Sequence, residues 1–416
     1  MYNHVVFEIS GKCNALCPWC ATGIESHDNS NTSKQYITCD EFKKAVFYLK
    51  KNNVITADAY FFLYNWGEPM LNPQFGEIAA FLNDEGHEYI VSTNASRPLY
   101  FENEQALRNL RALVFSMSGF SQNSYDRIHG FSFHKIKDNI VQMLDNYRRC
   151  GFRGKAEIRY HVYQFNIDEI PDMLAFAKEQ NLCVSPTYAG IADLRRLKAY
   201  LANEMPYDEL KKLSQDLIFY YPEQVKKQVP PSYTCPYHEV LFIDEKSRLL
   251  TCCMMTKEMS GYAFGDLYDY SYEEMKKAKK CQSFCKECMQ QAIPYLINNR
   301  PYPKIMDILD VKMDFYDPDR PLLIWGTEKM ATVLYDRLVK SGIQVSGFIE
   351  CERTEKKCTL LNKSCYLQEQ LRDRSEFPSK PYIMIASEYI PQKVSFLQNN
   401  NYHFGNDFWV SSVIKR

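Results

Sequence analysis

Cys13-Asn14-Ala15-Leu16-Cys17-Pro18-Trp19-Cys20 follows directly on an apolar run at residues 5–9 that reads as a strand. A strand that delivers three thiols at its end is the unit from which the rest is read. Three thiolates this close can hold three irons of one cubane cluster. The fourth iron then has no protein ligand nearby and is open to a small molecule, whereas an electron-transfer ferredoxin closes its cluster with four cysteines. The bland reading is a zinc site, but zinc ordinarily takes four ligands, commonly as two paired-cysteine motifs, and no partner pair lies near in sequence.

Outward from the loop, short apolar runs alternate with helical periodicity as far as about residue 190, which is the form of a parallel α/β layer. Thr38 and Glu41 have capping-box spacing, and Phe42, Ala45, Val46 and Leu49 follow at i, i+3, i+4 and i+7. Further strands are expected at residues 59–63, 89–93, 112–116, 156–162 and 182–185. Ile136, Ile140, Met143, Leu144 and Tyr147 form one helical face, and Ile170, Met173, Leu174 and Ala177 another. Both read as packing against a sheet. About six βα units predict an α/β fold built as an open, partial (β/α)6 barrel, with its site at the carboxyl ends of the strands.

Bulk properties narrow the partners. With 416 residues, two or three domains are expected. Lys+Arg 50 against Asp+Glu 51 gives a net charge of -1, so no field points to nucleic acid or an anionic membrane. The first residues read as a strand rather than a signal peptide, and no apolar run approaches the roughly 20 residues of a membrane span. Fifteen cysteines therefore predict metal ligands and buried thiols in a cytoplasmic protein. Cys39, Cys150 and Cys183 fall within helix or strand patterns and are expected to be buried.

The C-x-x-x-C-x-x-C spacing, with aromatic Trp19 before the last cysteine, resembles the signature of the radical S-adenosylmethionine (SAM) enzymes. The resemblance implies that Cys13, Cys17 and Cys20 hold a four-iron four-sulfur cluster whose unique iron binds SAM. Reductive cleavage then releases a 5'-deoxyadenosyl radical that takes hydrogen from the substrate. Trp66-Gly67-Glu68-Pro69 resembles the family's Gly-Gly-Glu-Pro motif, with Trp66 in place of the first glycine. Gly67 and Glu68 are accordingly expected at the SAM amino group. Ser92-Thr93-Asn94 stands at the end of the next strand, where its hydroxyl and amide groups could hold a ribose or carboxylate. Ser116-Met117-Ser118-Gly119 resembles a stretch of the subgroup with auxiliary clusters, Ser118 standing where that subgroup has aspartate. The stretch from Tyr125 to Gly130 also looks like that subgroup. Glu157, Arg159 and His161 share one face of a strand, where water-facing and barrel-facing readings are both open. Inside a barrel, Arg159 would meet the SAM carboxylate. Trp19, Gly67, Glu68, Ser92, Asn94, Ser118 and Arg159 are thus the candidate cofactor-binding residues. No residue stands out as a catalytic acid or base.

Cys235, the pair Cys252 and Cys253, then Cys281, Cys285 and Cys288 form a second group whose order resembles the SPASM or shorter twitch extension of these enzymes. That resemblance implies an auxiliary four-iron four-sulfur cluster on Cys235, Cys252, Cys285 and Cys288, with Cys253 and Cys281 as substitutes. Zinc is the competing metal. The expected domains are 1–230 for the barrel, 231–300 for the SPASM/twitch-like extension and 318–416 for a Rossmann-like domain. In the last, strands at 322–326, 345–349 and 382–386 flank a helix at 330–339. Gly326-Thr327-Glu328-Lys329-Met330-Ala331 lacks the later glycines of a dinucleotide fingerprint, and Glu350 stands where an acid would meet a ribose.

The expectation is an oxygen-sensitive radical SAM enzyme of oxidoreductase or isomerase type, fed by a flavodoxin- or ferredoxin-type electron donor. Its substrate is a carbohydrate, cyclitol or nucleotide-linked small molecule, favoured because no leader-binding winged-helix segment is apparent. The alternatives are a maturase of ribosomally made peptides, a non-catalytic iron-sulfur or zinc scaffold, and polar methyl transfer from SAM held at Gly326.

Overall fold

The structure is a computed structural model. It describes all residues except 21, 24–35, 164, 167–168, 203, 207–208, 210–211, 214–215, 218–228, 299–316, 328, 351–358, 387–389, 404–405 and 411–416. Strands β1 (Tyr2–Phe7), β2 (Ile55–Phe62), β3 (Tyr89–Thr93), β4 (Leu110–Met117), β5 (Lys155–Val162) and β6 (Cys183–Tyr188) are parallel neighbours in chain order. Parallel neighbours need crossovers. Helices α1 (Cys39–Lys51), α2 (Phe75–Asp84), α3 (Gln122–Arg127), α4 (Phe133–Arg149) and α5 (Ile170–Glu179) lie in them, with α6 (Leu194–Leu201) after β6. The sheet is open: β6 is an edge and does not return to β1. The expected open α/β layer is what is found.

α1 shows why the segments fold as they do. Thr38 accepts from the Glu41 amide while the Glu41 carboxylate accepts from Thr38, a reciprocal cap worth roughly 1 kcal/mol. The helix then buries Phe42, Ala45, Val46 and Leu49. The Phe42 ring meets those of Phe7 at 4.9 Å and of Phe61 and Phe81 at 6.2 Å. Burying such a ring contributes about 1.5–3 kcal/mol, so this face ties α1 to β1, β2 and α2. α4 buries the predicted face of Ile136, Ile140, Met143, Leu144 and Tyr147, together with Asn139 and Asn146. Asn146 earns its place by exchanging hydrogen bonds with the Phe101 backbone, at 2.9 and 3.0 Å.

Beyond residue 230 the same sheet continues on the other side of β1. β7 (Leu241–Ile243) pairs parallel with β1, and β8 (Arg248–Leu250) and β9 (Ala263–Asp266) extend it antiparallel, giving the order β6-β5-β4-β3-β2-β1-β7-β8-β9. The cysteine-rich segment is therefore hydrogen-bonded onto the barrel sheet. Helices α7 (Tyr272–Lys280), α8 (Ser283–Gln290) and α9 (Ile293–Asn298) complete it.

A second sheet contains β10 (Leu322–Trp325), β11 (Gly347–Glu350), β12 (Thr359–Leu360), β13 (Lys363–Leu367), β14 (Tyr382–Ile385) and β15 (Phe408–Val410). Helices α10 (Lys329–Lys340) and α11 (Ile390–Asn399) follow β10 and β14. β13, β11, β10, β14 and β15 are parallel, with β12 antiparallel at the edge. β10 is central, and the chain runs outward from it first to one side and then to the other.

Of the three thiols expected to be buried, only Cys39 is fully so. Cys39 is buried and Cys150 half-buried, but Cys183 is exposed. It opens β6, the edge strand of the described sheet.

Candidate functional site

The thiol loop leaves the carboxyl end of β1 and is pinned from three sides. Glu68 N–H donates to Lys12 O at 2.7 Å, Leu16 N–H to His129 O at 3.1 Å, and Cys20 N–H to Cys17 O at 3.2 Å. Trp19 donates its indole N–H to Asp216 at 2.9 Å, and Asp216 is paired with Arg127. The segment from Tyr125 to Gly130 thus supports the loop through Arg127 and His129. Asp216 stands 197 residues from Trp19, beyond the reach of any local pattern.

Cys13, Cys17 and Cys20 are each half-buried and free of disulfides. Burial, then the Glu68 carboxylate, pushes the Cys13 thiol up to about 12. Burial raises the Cys17 thiol, and after it the approach of Cys20 and Cys13. Three cysteine sulfurs brought onto one short loop are soft donors of the kind iron-sulfur clusters take, and a coordinated thiol is deprotonated outright. That donor set fits an iron-sulfur cluster. Among the described residues, no three His, Cys, Asp or Glu side chains are disposed to hold a single metal ion.

Glu68 lies beside this loop, buried. Its Oε1 accepts from Met70 N–H at 3.0 Å and the Thr93 hydroxyl at 2.8 Å, and its Oε2 from Asn94 N–H at 2.7 Å. Burial outweighs these donors and lifts the carboxyl to about 7. Asn94 also turns its amide to Asn14 at 3.1 Å and to Cys13 Sγ at 3.8 Å. Gly67 is required by close approach: a Cβ there would stand 1.8 Å from Ser10 O and 2.9 Å from Lys12 O. Gly67, Glu68, Asn94 and Cys13 therefore meet, and Thr93, read from the sequence only as part of Ser92-Thr93-Asn94, clamps Glu68.

The other candidates sit at neighbouring strands. Ser92 is half-buried on β3, in register with Val114 of β4. Ser118 is buried after β4, and its Oγ has no hydrogen-bond partner among the described residues, although its carbonyl accepts from Asn166 at 2.8 Å. A buried hydroxyl without a partner is costly and fits a bound ligand. Arg159, in register with Ser116 and Ser185, hydrogen-bonds Tyr64 and lies 3.5 Å from Glu157.

Glu8, which the sequence reading passed over, follows β1 and is fully buried. Its Oε1 accepts from Trp66 N–H at 2.7 Å and Gly67 N–H at 2.6 Å, while its Oε2 has no partner among the described residues. Burial, then Glu245, raises its carboxyl to about 8. From its ordinary value of 4.5 up to about 8 the folded chain holds a proton that the unfolded chain has released, so stability falls as pH rises through that window. Glu8→Gln keeps an acceptor for both amides and removes the titration. The unfolding free energy of the wild-type chain from urea titration is expected to fall between pH 5.5 and 7.5 by roughly 1–3 kcal/mol more than that of the variant. Equal slopes would show that Glu8 does not carry the proton.

The second cysteine group forms its own enclosure. Cys235, Cys252, Cys285 and Cys288 line one cavity with Phe284 and Ile293. Cys285 and Cys288 are three residues apart on α8 and so share a face. Burial pushes Cys235 up to about 11, and it raises Cys285 and Cys288, each further opposed by Cys252. Cys252 is raised first by the hydrogen bond it shares with Cys253 and then by burial. Cys281 is exposed and does not line this cavity, and the Cys253 thiol bonds to Cys252 and Tyr237. Lys279, buried under the group, donates to Val240 O and lies 4.6 Å from the Phe242 ring centre. Burial lowers its ammonium to about 8 while the surrounding thiols oppose the drop.

Among the described residues no helix is long and apolar enough to cross a membrane.

Comparison with known proteins bears on this site. Fe-coproporphyrin III synthase of Methanosarcina barkeri is 21% identical over 179 residues, 43% of this chain and 41% of that protein. The chain thus matches about two fifths of the length of this curated relative. Among solved structures, SuiB of Streptococcus suis is 16% identical, with 72% of this chain and 75% of SuiB covered at a TM-score of 0.43. anSMEcpe with bound AdoMet is 15% identical, with 71% of this chain and 98% of that one covered at a TM-score of 0.42. The family model described as Radical SAM superfamily matches residues 7–177, which span the thiol loop, Gly67-Glu68 and strands β2 to β5. Residues 7–177 are a radical SAM domain, whose cofactors are a four-iron four-sulfur cluster and SAM.

Proposed function

We propose that the chain abstracts hydrogen from a carbohydrate, cyclitol or nucleotide-linked small molecule in an oxidation, epimerisation or rearrangement, and that a second four-iron four-sulfur cluster assists. The observation that carries this reading is the division of the thiols: three gather at the end of β1, and four line a separate cavity. Three leave a cluster open to SAM, whereas four close one. When bound, the first cluster supplies the electron that splits SAM and so starts hydrogen abstraction.

The chain's own residues bind, orient and exclude. Cys13, Cys17 and Cys20 hold the first cluster, with Trp19 anchored beside it. Glu68, fixed by three donors, presents an acceptor for the SAM amino group, and Gly67 allows the strand end to lie against the loop. Ser92, Asn94, the Ser118 hydroxyl and Arg159 line the rest. Cys235, Cys252, Cys285 and Cys288 hold the second cluster, with Lys279 as a buried cation beside its negative charge. Packed walls keep water and oxygen out, as homolytic chemistry requires.

The small-molecule substrate is supported by the carboxyl-terminal sheet. Its strand order around β10 is that of an open doubly wound sheet, with Gly326 at the end of β10 and Glu350 closing β11, the switch region where such sheets take ligands. Gly326 has φ +146° and donates its N–H to Ile349 O at 3.1 Å. A Rossmann-like reading of residues 318–416, like the division at 1–230 and 231–300, belongs to this proposal. So do a cytoplasmic site of action and a flavodoxin- or ferredoxin-type donor.

Anaerobic reconstitution tests it. The chain is expected to carry about eight irons, two cubanes, and to form 5'-deoxyadenosine from SAM under dithionite. No 5'-deoxyadenosine, or S-adenosylhomocysteine in its place, overturns the radical reading. About four irons removes the second cluster. Mass spectrometry of treated extracts in which only peptides change would exchange the small-molecule substrate for a peptide.

A further inference from the structure

Trp66 stands where the resembled motif has glycine, and its side chain leads out of the SAM loop toward the second cysteine group. Its indole N–H donates to Met255 O at 3.0 Å. Met255 lies three residues after Cys252, and its own N–H donates back to Cys252 O at 3.4 Å, so the turn from Cys252 to Met255 is one hydrogen-bonded piece. At the other end, the backbone N–H groups of Trp66 and Gly67 are both held by Glu8. Trp66 thus joins the strip carrying Glu68 to the turn carrying Cys252.

A second tie runs in parallel. Lys257 Nζ donates to Gly11 O at 3.2 Å and pairs with Glu245 at 3.2 Å. Gly11 stands two residues before Cys13, and the approach leaves no room: a Cβ on Gly11 would lie 2.4 Å from Glu245 Oε1 and 2.9 Å from Lys257 Nζ. One short segment, residues 252–257, therefore contributes a thiol to the second cavity and touches Gly11, two residues before the thiol loop, and Trp66, which precedes Gly67-Glu68.

Resting on the function proposed above, we infer that residues 252–257 form a strut through which filling of the second cysteine cavity sets the affinity of the first site for SAM, with Trp66 and Lys257 as positioning residues. Metal ligation of Cys252 fixes the turn, the fixed Met255 carbonyl fixes the indole, and the indole holds the strip from which Glu68 is presented. Coupling of binding is reciprocal, so bound SAM also holds the second cluster in place.

SAM dissociation constants from anaerobic equilibrium dialysis of the cluster-loaded full chain test this as a double-mutant cycle. Cys288→Ala empties the second cavity without touching the strut, and is expected to weaken SAM binding about fivefold or more. Trp66→Phe keeps a ring but loses the N–H. In that background Cys288→Ala should change the constant less than about twofold, since the strut is already broken. The paired change E245Q/K257M, which leaves no unpaired charge, should reduce the Cys288→Ala effect in the same direction. Effects of Trp66→Phe and Cys288→Ala that multiply, or an unchanged constant in Cys288→Ala, would overturn the strut.

A second measurement needs no cysteine variant. SAM should slow chelator removal of the second cluster's iron about fivefold in the wild type and not in Trp66→Phe. Equal protection in both overturns the inference. Failure of the wild type to bind SAM at all is a different result, and it removes the function proposed above.

Discussion

Cys17→Ala is expected to abolish 5'-deoxyadenosine formation and to lower iron from about eight to about four per chain. The argument is local. Cys17 is the middle thiol of the loop, and its environment is set by burial and by Cys20 and Cys13. Two thiols and one alanine leave two irons of a cubane without protein ligands, and such a cluster does not persist. The fold should survive, because the loop is held by backbone contacts that do not use this side chain: Leu16 N–H to His129 O, Cys20 N–H to Cys17 O and Glu68 N–H to Lys12 O. Circular dichroism should match the wild type, while iron analysis and product chromatography should not. A variant that keeps both its iron and its activity would place the reactive cluster elsewhere.

How far such a result could be foreseen from sequence depends on the range of the forces involved. α1 was legible because a capping box and an i, i+3, i+4, i+7 face are local, and β3 is found at the expected residues 89–93. The thiol loop was legible because ligand spacing is local too. Extension of the sheet past β1 was not, since β7 and β8 have three residues each, too few to show a period. Glu8 is the lone acid inside the expected strand at residues 5–9, yet its side chain accepts from two backbone amides 58 and 59 residues away. Lys279 looks like an exposed base in the last turn of α7, yet is buried against Val240 and Phe242. Cys183 fails in the opposite sense, because sequence does not say which strand will be the edge. Long-range pairing decides each of these, and only the fold supplies it.

Cys288→Ala should separate the two cysteine groups. Cys288 shares one face of α8 with Cys285 and meets Cys252 and Cys235 across the cavity. With three thiols left, iron is expected to fall to about four per chain, and a single cluster should remain by electron paramagnetic resonance. The first site keeps all of its own ligands, so 5'-deoxyadenosine should still form at saturating SAM, whereas substrate conversion should be lost because the second cluster no longer accepts an electron or walls the substrate. Lys279 sharpens the expectation. Its buried ammonium is stabilised by the thiols around it, and removal of their negative charge leaves a cation that burial alone opposes. The variant should therefore also unfold at lower temperature than the wild type, and replacing Lys279 with methionine in the same chain should recover part of the loss. Iron that stays near eight, or zinc in place of iron in the wild type, would show that these four cysteines do not hold a cubane.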